Sequence, residues 1–320
     1  MADRQLNAEA LSGRQISVAV LVAGLSPAAA LAGVADWPWV LVWTGVGILL
    51  AWFALRRVKD RPLYQGVRGG ILYILYVGWS AVLASRALGR AALRLEMTSG
   101  GSPRFWLLLI FAVPLFWISW GKAAPFFRMV EILWLAMAAA LTLVLVFGFA
   151  RVEWDYVMNA QEDWRRSALA VGEIFAPALF VLPYIYKVER QSNKQGLGWL
   201  SVLGVAATGV SLITVGILGR AAERVPHAFY VAAGTLGKSA RCEGLLSVLW
   251  LLPDLTLAGL LCRVWGARRW PALGVVLTVG LAIAEVGVRI SPELCVCGTL
   301  VLLLLSLLLP RGKGEIVVKF

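Results

Sequence analysis

Four carboxylates stand inside apolar runs of this chain: Glu131, Glu173, Asp254 and Glu285. A charged group at mid-bilayer costs roughly 2.5–3.5 kcal/mol or more, so each must face a partner or a cavity. Glu131 follows Arg128 by three residues, and Glu285 precedes Arg289 by four. Both spacings put acid and base on one helical face, which predicts intrahelical pairs. Glu173 has no such neighbour. It stands next to Gly172 and four residues before Pro177, which suits it to pair with an ammonium group, to carry a proton or to organise a helix break. Asp254 follows Pro253 and is either a second proton-coupling acid or a structural one. No other set of residues carries chemistry. Cys242, Cys262, Cys295 and Cys297 lack metal-ligand spacing, and His227 is the only histidine, so no metal site is expected. Cys295-Val296-Cys297 reads as small residues in a helix. Without a nucleophile–base set or a phosphate loop, neither catalysis nor a cofactor is expected.

The elements that position these acids are membrane helices. The 320 residues are 60% hydrophobic and 15% charged, against about 45–50% and 25% in soluble domains. Apolar runs of membrane length predict an all-α polytopic protein with ten spans: 15–34, 37–55, 69–88, 105–120, 124–149, 167–186, 197–218, 245–264, 270–288 and 294–309. A cleaved leader ending near Ala30-Leu31-Ala32 is the competing reading of the first run. The segment 219–244 predicts either a short helix over the outer mouth or a plain surface loop. Most of the 15 Trp read as interfacial belt residues.

With a cytoplasmic N-terminus, the inner segments hold 18 Lys and Arg and the outer ones 12. The positive-inside rule therefore puts both termini in the cytoplasm. The net charge of +12 then reflects orientation and anionic lipid, with no nucleic-acid partner.

Spans 1 and 6 carry matching interruptions, Gly24-Leu25-Ser26-Pro27 and Gly172 to Pro177. Proline removes a backbone donor, and glycine loosens the turn before it. An offset of five spans inverts topology, so the chain divides into two antiparallel repeats, about 15–149 and 167–309, within one transmembrane domain. Paired discontinuous helices point to a midplane binding site. Free N–H groups at the breaks suit a carboxylate, and freed carbonyls with an acid suit an ammonium. A plain proline kink is the alternative at each place. Tyr73 and Tyr76, three apart on span 3, either floor such a pocket or pack between helices.

Several short stretches carry a resemblance. They are Ser12-Gly13-Arg14-Gln15, Tyr73-Ile74-Leu75-Tyr76, Gly121-Lys122, Arg128-Met129-Val130-Glu131, Gly172-Glu173, Leu182-Pro183-Tyr184, and Arg241-Cys242-Glu243-Gly244-Leu245 with Trp250. In order and spacing the chain resembles the GerAB family, the permease-like B subunits of nutrient germinant receptors, over about residues 11–265. The resemblance implies a fold of the amino acid–polyamine–organocation superfamily with a LeuT-like 5+5 core. It implies a nutrient such as an amino acid in a pocket between spans 1, 3, 6 and 8, with the family's ligand positions falling at Gly24, Ser26, Gly172 and Glu173; Tyr73, Tyr76 and Ala176 are the further ligand-binding residues expected. It also implies an A-type membrane subunit and a C-type lipoprotein as partners, and location in the spore inner membrane. Pro27 departs from the family pattern, where small polar residues are usual. A proton-coupled amino acid transporter of the same fold is the alternative, with Glu173 or Asp254 carrying the proton. A structural membrane subunit without a ligand is a further one.

Overall fold

The computed structural model describes residues 11–58, 66–98, 100–101, 103–159, 163–185, 193–236, 246, 248–266 and 271–308. Ten long helices stand where ten spans are expected. They are α1 (Gly13–Leu31), α2 (Trp37–Val58), α3 (Gly66–Thr98), α4 (Arg104–Trp120), α5 (Ala123–Phe149), α6 (Trp164–Ile185), α7 (Asn193–Leu218), α8 (Leu251–Gly266), α9 (Pro271–Ile283) and α10 (Pro292–Leu308). Shorter helices, Trp154–Met158, Ala228–Leu236 and Val286–Arg289, lie between them with a 3-10 turn, Gly219–Glu223. Five helices, α1, α2, α3, α5 and α7, are long and apolar enough to cross a membrane within their described parts.

α1 forms the centre. Every residue from Ile16 to Ala29 is buried, so its apolar character is needed all round. It packs on α7, α6, α8 and α5. Its start is fixed by the Ser12–Gln15 stretch: Gln15 N–H donates to Ser12 Oγ and Ser12 N–H donates to Gln15 Oε1, each at 3.2 Å. This reciprocal capping box satisfies two otherwise orphaned donors.

The contacts among the described residues are largely preserved when each helix is exchanged for the one five places later. α1 packs on α7 as α6 packs on α2, and α1 on α5 as α6 on α10. α3 packs on α9 as α8 on α4, and α3 on α4 as α8 on α9. The pairs α2–α7, α3–α8 and α4–α9 map onto themselves.

The outer faces are apolar. Val113 and Trp117 of α4, Ile132 and Leu135 of α5, and Val276 of α9 are each at least 67% exposed. Water would penalise such a continuous surface, whereas lipid accepts it. Trp106, Trp117 and Trp120 stand exposed toward the two ends of α4, as belt residues should. The chain is a multi-pass membrane protein.

Two expectations are corrected here. The interruptions in spans 1 and 6 are absent: α1 runs through Pro27, and α6 runs through Gly172 and Pro177, as unbroken helix. Packing on every side of α1 outweighs the local preference of Gly and Pro, and one lost backbone bond is tolerated inside a bundle. The second concerns α3, which continues ten residues beyond the expected end at Leu88. By contrast, span 9 does break: α9 stops at Ile283, and Glu285 adopts the left-handed conformation with φ 58°.

Candidate functional site

The C-terminal part of α3 carries Arg86, Arg90 and Arg94, four residues apart and therefore on one face. Ala84, Ala87, Ala91 and Ala92 beside them are 0% exposed. These small side chains let α8 come close while the arginines reach past it. Arg86 forks onto Glu173 of α6, with Nη2 to Oε1 at 2.8 Å and Nε to Oε2 at 3.4 Å. Its Nη1 donates to the carbonyls of Ile290 (2.6 Å) and Gly287 (3.3 Å). Those carbonyls end the short helix Val286–Arg289, where cations are favoured. Arg90 Nη1 reaches Glu173 Oε2 at 3.1 Å. Arg94 pairs with Asp254 of α8 at 2.7 Å and donates to Tyr230 Oη at 3.0 Å. Its guanidinium also lies 4.7 Å from the Tyr230 ring centroid, within cation–π range. Ser26 of α1 completes the group by donating to Asp254 Oδ1 at 2.6 Å.

Four of these groups are nearly inaccessible, Arg86 at 8% exposed, Arg94 at 3%, Glu173 at 6% and Asp254 at 2%, and Arg90 is half-buried with its side chain 16% exposed. A low-dielectric interior makes each contact strong and each unpaired charge costly. Charge is nonetheless unbalanced, with three guanidiniums facing two carboxylates. Arg90 shares one acid with Arg86, and its buried Nε has no hydrogen-bond partner among the described residues.

Two cavities adjoin the group. The inner one, about 20 Å³, is bounded by Pro27, Arg86, Arg90, Glu173, Ala176 and Thr299, among others. That volume holds about one water and no solute. The second, about 320 Å³, is an apolar cleft between α1, α2, α6 and α10, walled by Val20, Val46, Gly47, Gly172, Phe175 and Leu300, among others. Ala176 and Thr299 border both.

An aromatic cluster covers the Arg94 end. Phe229 and Tyr230, on the short helix Ala228–Leu236, pack on Trp250 with ring centroids 5.0 and 6.0 Å away. Trp250 Nε1 donates to Leu25 O of α1 at 3.3 Å. Of the two readings of 219–244, a short helix or a plain loop, the helix is the one present, docked on α7, α5 and α1. His227 stands at its start with φ 54°. Burial, reinforced by Arg94, holds its imidazole down to about 4.

The expected site residues separate into two sets. Glu173 lines the inner cavity, Ala176 joins the two cavities and Gly172 lines the cleft. Glu173 is already occupied by two arginines, so it does not stand free for an ammonium. Ser26 spends its hydroxyl on Asp254, and Asp254 is held by Arg94. Gly24 stands at a helix crossing, where a Cβ would lie 2.5 Å from Leu203 and 2.9 Å from the Ile174 carbonyl. It has no room for a ligand. Tyr73 and Tyr76 border neither cavity. Tyr73 Oη donates to Val264 O at 3.1 Å near the end of α8, and Tyr76 Oη bonds Ser306 Oγ at 2.8 Å against Phe180. They join helices instead of flooring a pocket. Glu131 pairs with Arg14 of α1 at 2.9 Å, across helices and not with Arg128. Glu285 does pair with Arg289, at 3.1 Å, and also with Arg104, at 2.9 Å. Cys242 and the Arg241–Leu245 stretch lie outside the described residues, as do the side chains of Leu182, Pro183 and Tyr184.

The arginines of α3 are what sequence reasoning missed. Arg90 and Arg94 lie past Leu88, where the apolar run stops, and Arg86 stands just before that end, so all three count with the outer charges. The available signal was their four-residue spacing, with alanine and leucine filling the same face.

No protein-family model matches the sequence, and no curated protein matches it. Among solved structures the chain is similar to Mhp1, a nucleobase-cation-symport-1 family transporter, in a closed conformation with bromovinylhydantoin bound. The TM-score is 0.59 at 14% identity, covering 92% of this chain and 75% of that one. The fold is therefore LeuT-like.

Proposed function

We propose that this protein is a membrane carrier whose ligand site is the Arg86–Arg90–Glu173 group between α3 and α6. The observation that carries this reading is the surplus of one half-buried guanidinium, Arg90, beside a water-sized cavity, in a fold shared with a transporter. The ligand is a small molecule with an anionic group. Its carboxylate would compete with Glu173 for Arg90 and so loosen the tie between α3 and α6. That gives the two arrangements of the bundle different affinities for ligand, without which no population shift follows. A proton on Glu173 would loosen the same tie, which makes Glu173 the coupling acid. Asp254, clamped by Arg94 and Ser26, is the structural acid. The exchange of neighbours between helices five apart supports two repeats, about 15–149 and 167–309, in one transmembrane domain.

Uptake into proteoliposomes from a panel of labelled amino acids and small carboxylates tests this. Accumulation driven by a proton gradient is expected, with loss of coupling in Glu173→Gln. The second reading is a nutrient-sensing subunit of a spore germinant receptor, working with A-type and C-type subunits in the spore inner membrane. The stretches from Ser12 to Trp250 favour it. Saturable ligand binding with no accumulation of any solute would decide for sensing and against the carrier.

A further inference from the structure

We infer that the apolar cleft and the inner cavity form one amphiphile site, reached sideways from the bilayer: an apolar chain lies in the cleft and a single carboxylate meets Arg90. The inference rests on the reading of Arg86–Arg90–Glu173 as the ligand site and names its substrate class.

Four observations carry it. The two cavities share Ala176 and Thr299 as their common border. Both bordering side chains are small, and the hydroxyl of one is already engaged, since Thr299 donates to Cys295 O and accepts from Trp79. The cleft has about 320 Å³, within the range of small-molecule sites. Its wall from Trp43 to Ala54 on α2 runs about 17 Å at the helical rise, which suits an extended chain better than a compact polar solute. It opens at the surface, where Val46, Leu50 and Leu300 of its walls are exposed beside the exposed apolar Leu49 and Phe53 of α2 and Leu304 of α10, a surface that lipid accepts. Finally, the inner end is the positive one: Arg90 is the guanidinium left with half an acid and a free Nε. An uncharged chain would leave that surplus untouched, and a cation would add to it. A carboxylate neutralises it, so charge complementarity selects the anionic amphiphile.

Dodecanoate is the probe, with the full chain in phosphatidylcholine nanodiscs and binding read as a saturable rise in Tm. Dodecan-1-ol has the same chain without the charge. The expected result is dodecanoate binding at least tenfold tighter than dodecan-1-ol, weakened at least tenfold by Arg90→Gln and partly restored by Arg90→Lys. Ala176→Phe closes the junction and should abolish the difference between acid and alcohol. If Ala176→Phe fails to fold, Leu300→Trp, which narrows the cleft from its lipid side, takes its place. Equal binding of acid and alcohol, or an affinity indifferent to Arg90→Gln, overturns the inference. Butyrate separates the two proposals. Arg90-dependent binding of butyrate without binding of dodecanoate removes the amphiphile and keeps the central site. No Arg90 dependence for either acid removes both.

Discussion

Arg94 and Asp254 show what burial does to a single pair of charges. With side chains 4% and 3% exposed, neither can find water when the other is removed. Truncating one partner of a buried pair typically costs 3–5 kcal/mol, whereas replacing both with apolar groups is often neutral. Arg94→Met and Asp254→Leu are each expected to destabilise by roughly 3–5 kcal/mol, and the double variant to regain most of that. Thermal unfolding in detergent, analysed as a double-mutant cycle, checks the coupling; additive losses would contradict it. His227 gives a pH dependence. Its imidazole is held at about 4 against an ordinary 6.5, so between those values the unfolded chain binds a proton that the folded chain does not. Stability is therefore full above about pH 6.5 and falls as pH drops toward 4, by on the order of 2–3 kcal/mol, then levels off. His227→Asn, which tolerates the left-handed backbone, should flatten the fall in Tm between pH 7.5 and 4.5.

Elements were legible where an apolar run decides them and illegible where two signals compete. The Trp37 start of α2 and the Trp120 end of α4 follow from the runs themselves. α3 was cut short because a membrane segment is recognised by hydrophobicity, and an amphipathic last third carrying three arginines lacks it. Only tertiary contact with Glu173 and Asp254 makes those arginines interior. The interruptions of α1 and α6 were over-read for the opposite reason. Gly24 does not loosen α1; it permits contact with Leu203 and the α6 backbone at Ile174. Gly24→Val is therefore expected to cost about 1–3 kcal/mol through overpacking. A lowered Tm would be the sign, and an unchanged one would mean the crossing can relax. Candidate site residues divided the same way. Glu173 could be found because a lone acid in an apolar run is conspicuous, whereas Tyr73 and Tyr76 depend on what faces them, which no spacing reveals.

At the scale of the whole molecule, the buried arginines also change the charge balance. Removing Arg86, Arg90 and Arg94 from the outer segments and the likewise buried Arg263 from the inner ones leaves nine Lys and Arg outside against 17 inside. The positive-inside bias becomes nearly two to one, and both termini are expected in the cytoplasm. Terminal reporter fusions active on only one side of the membrane check this. The most deeply buried ion pairs among the described residues also share one origin. α3 alone supplies the cations that meet α6 and α8, and through Ser26 the same chain of contacts reaches α1. Its guanidiniums repeat every four residues, about 6 Å along the axis. A slide of α3 by that one step would bring Arg90 toward Asp254 and leave Arg86 beside Glu173, so neither acid would lose its counter-ion. In that position Arg94 would be the guanidinium left without an acid, in place of Arg90 as the one that shares.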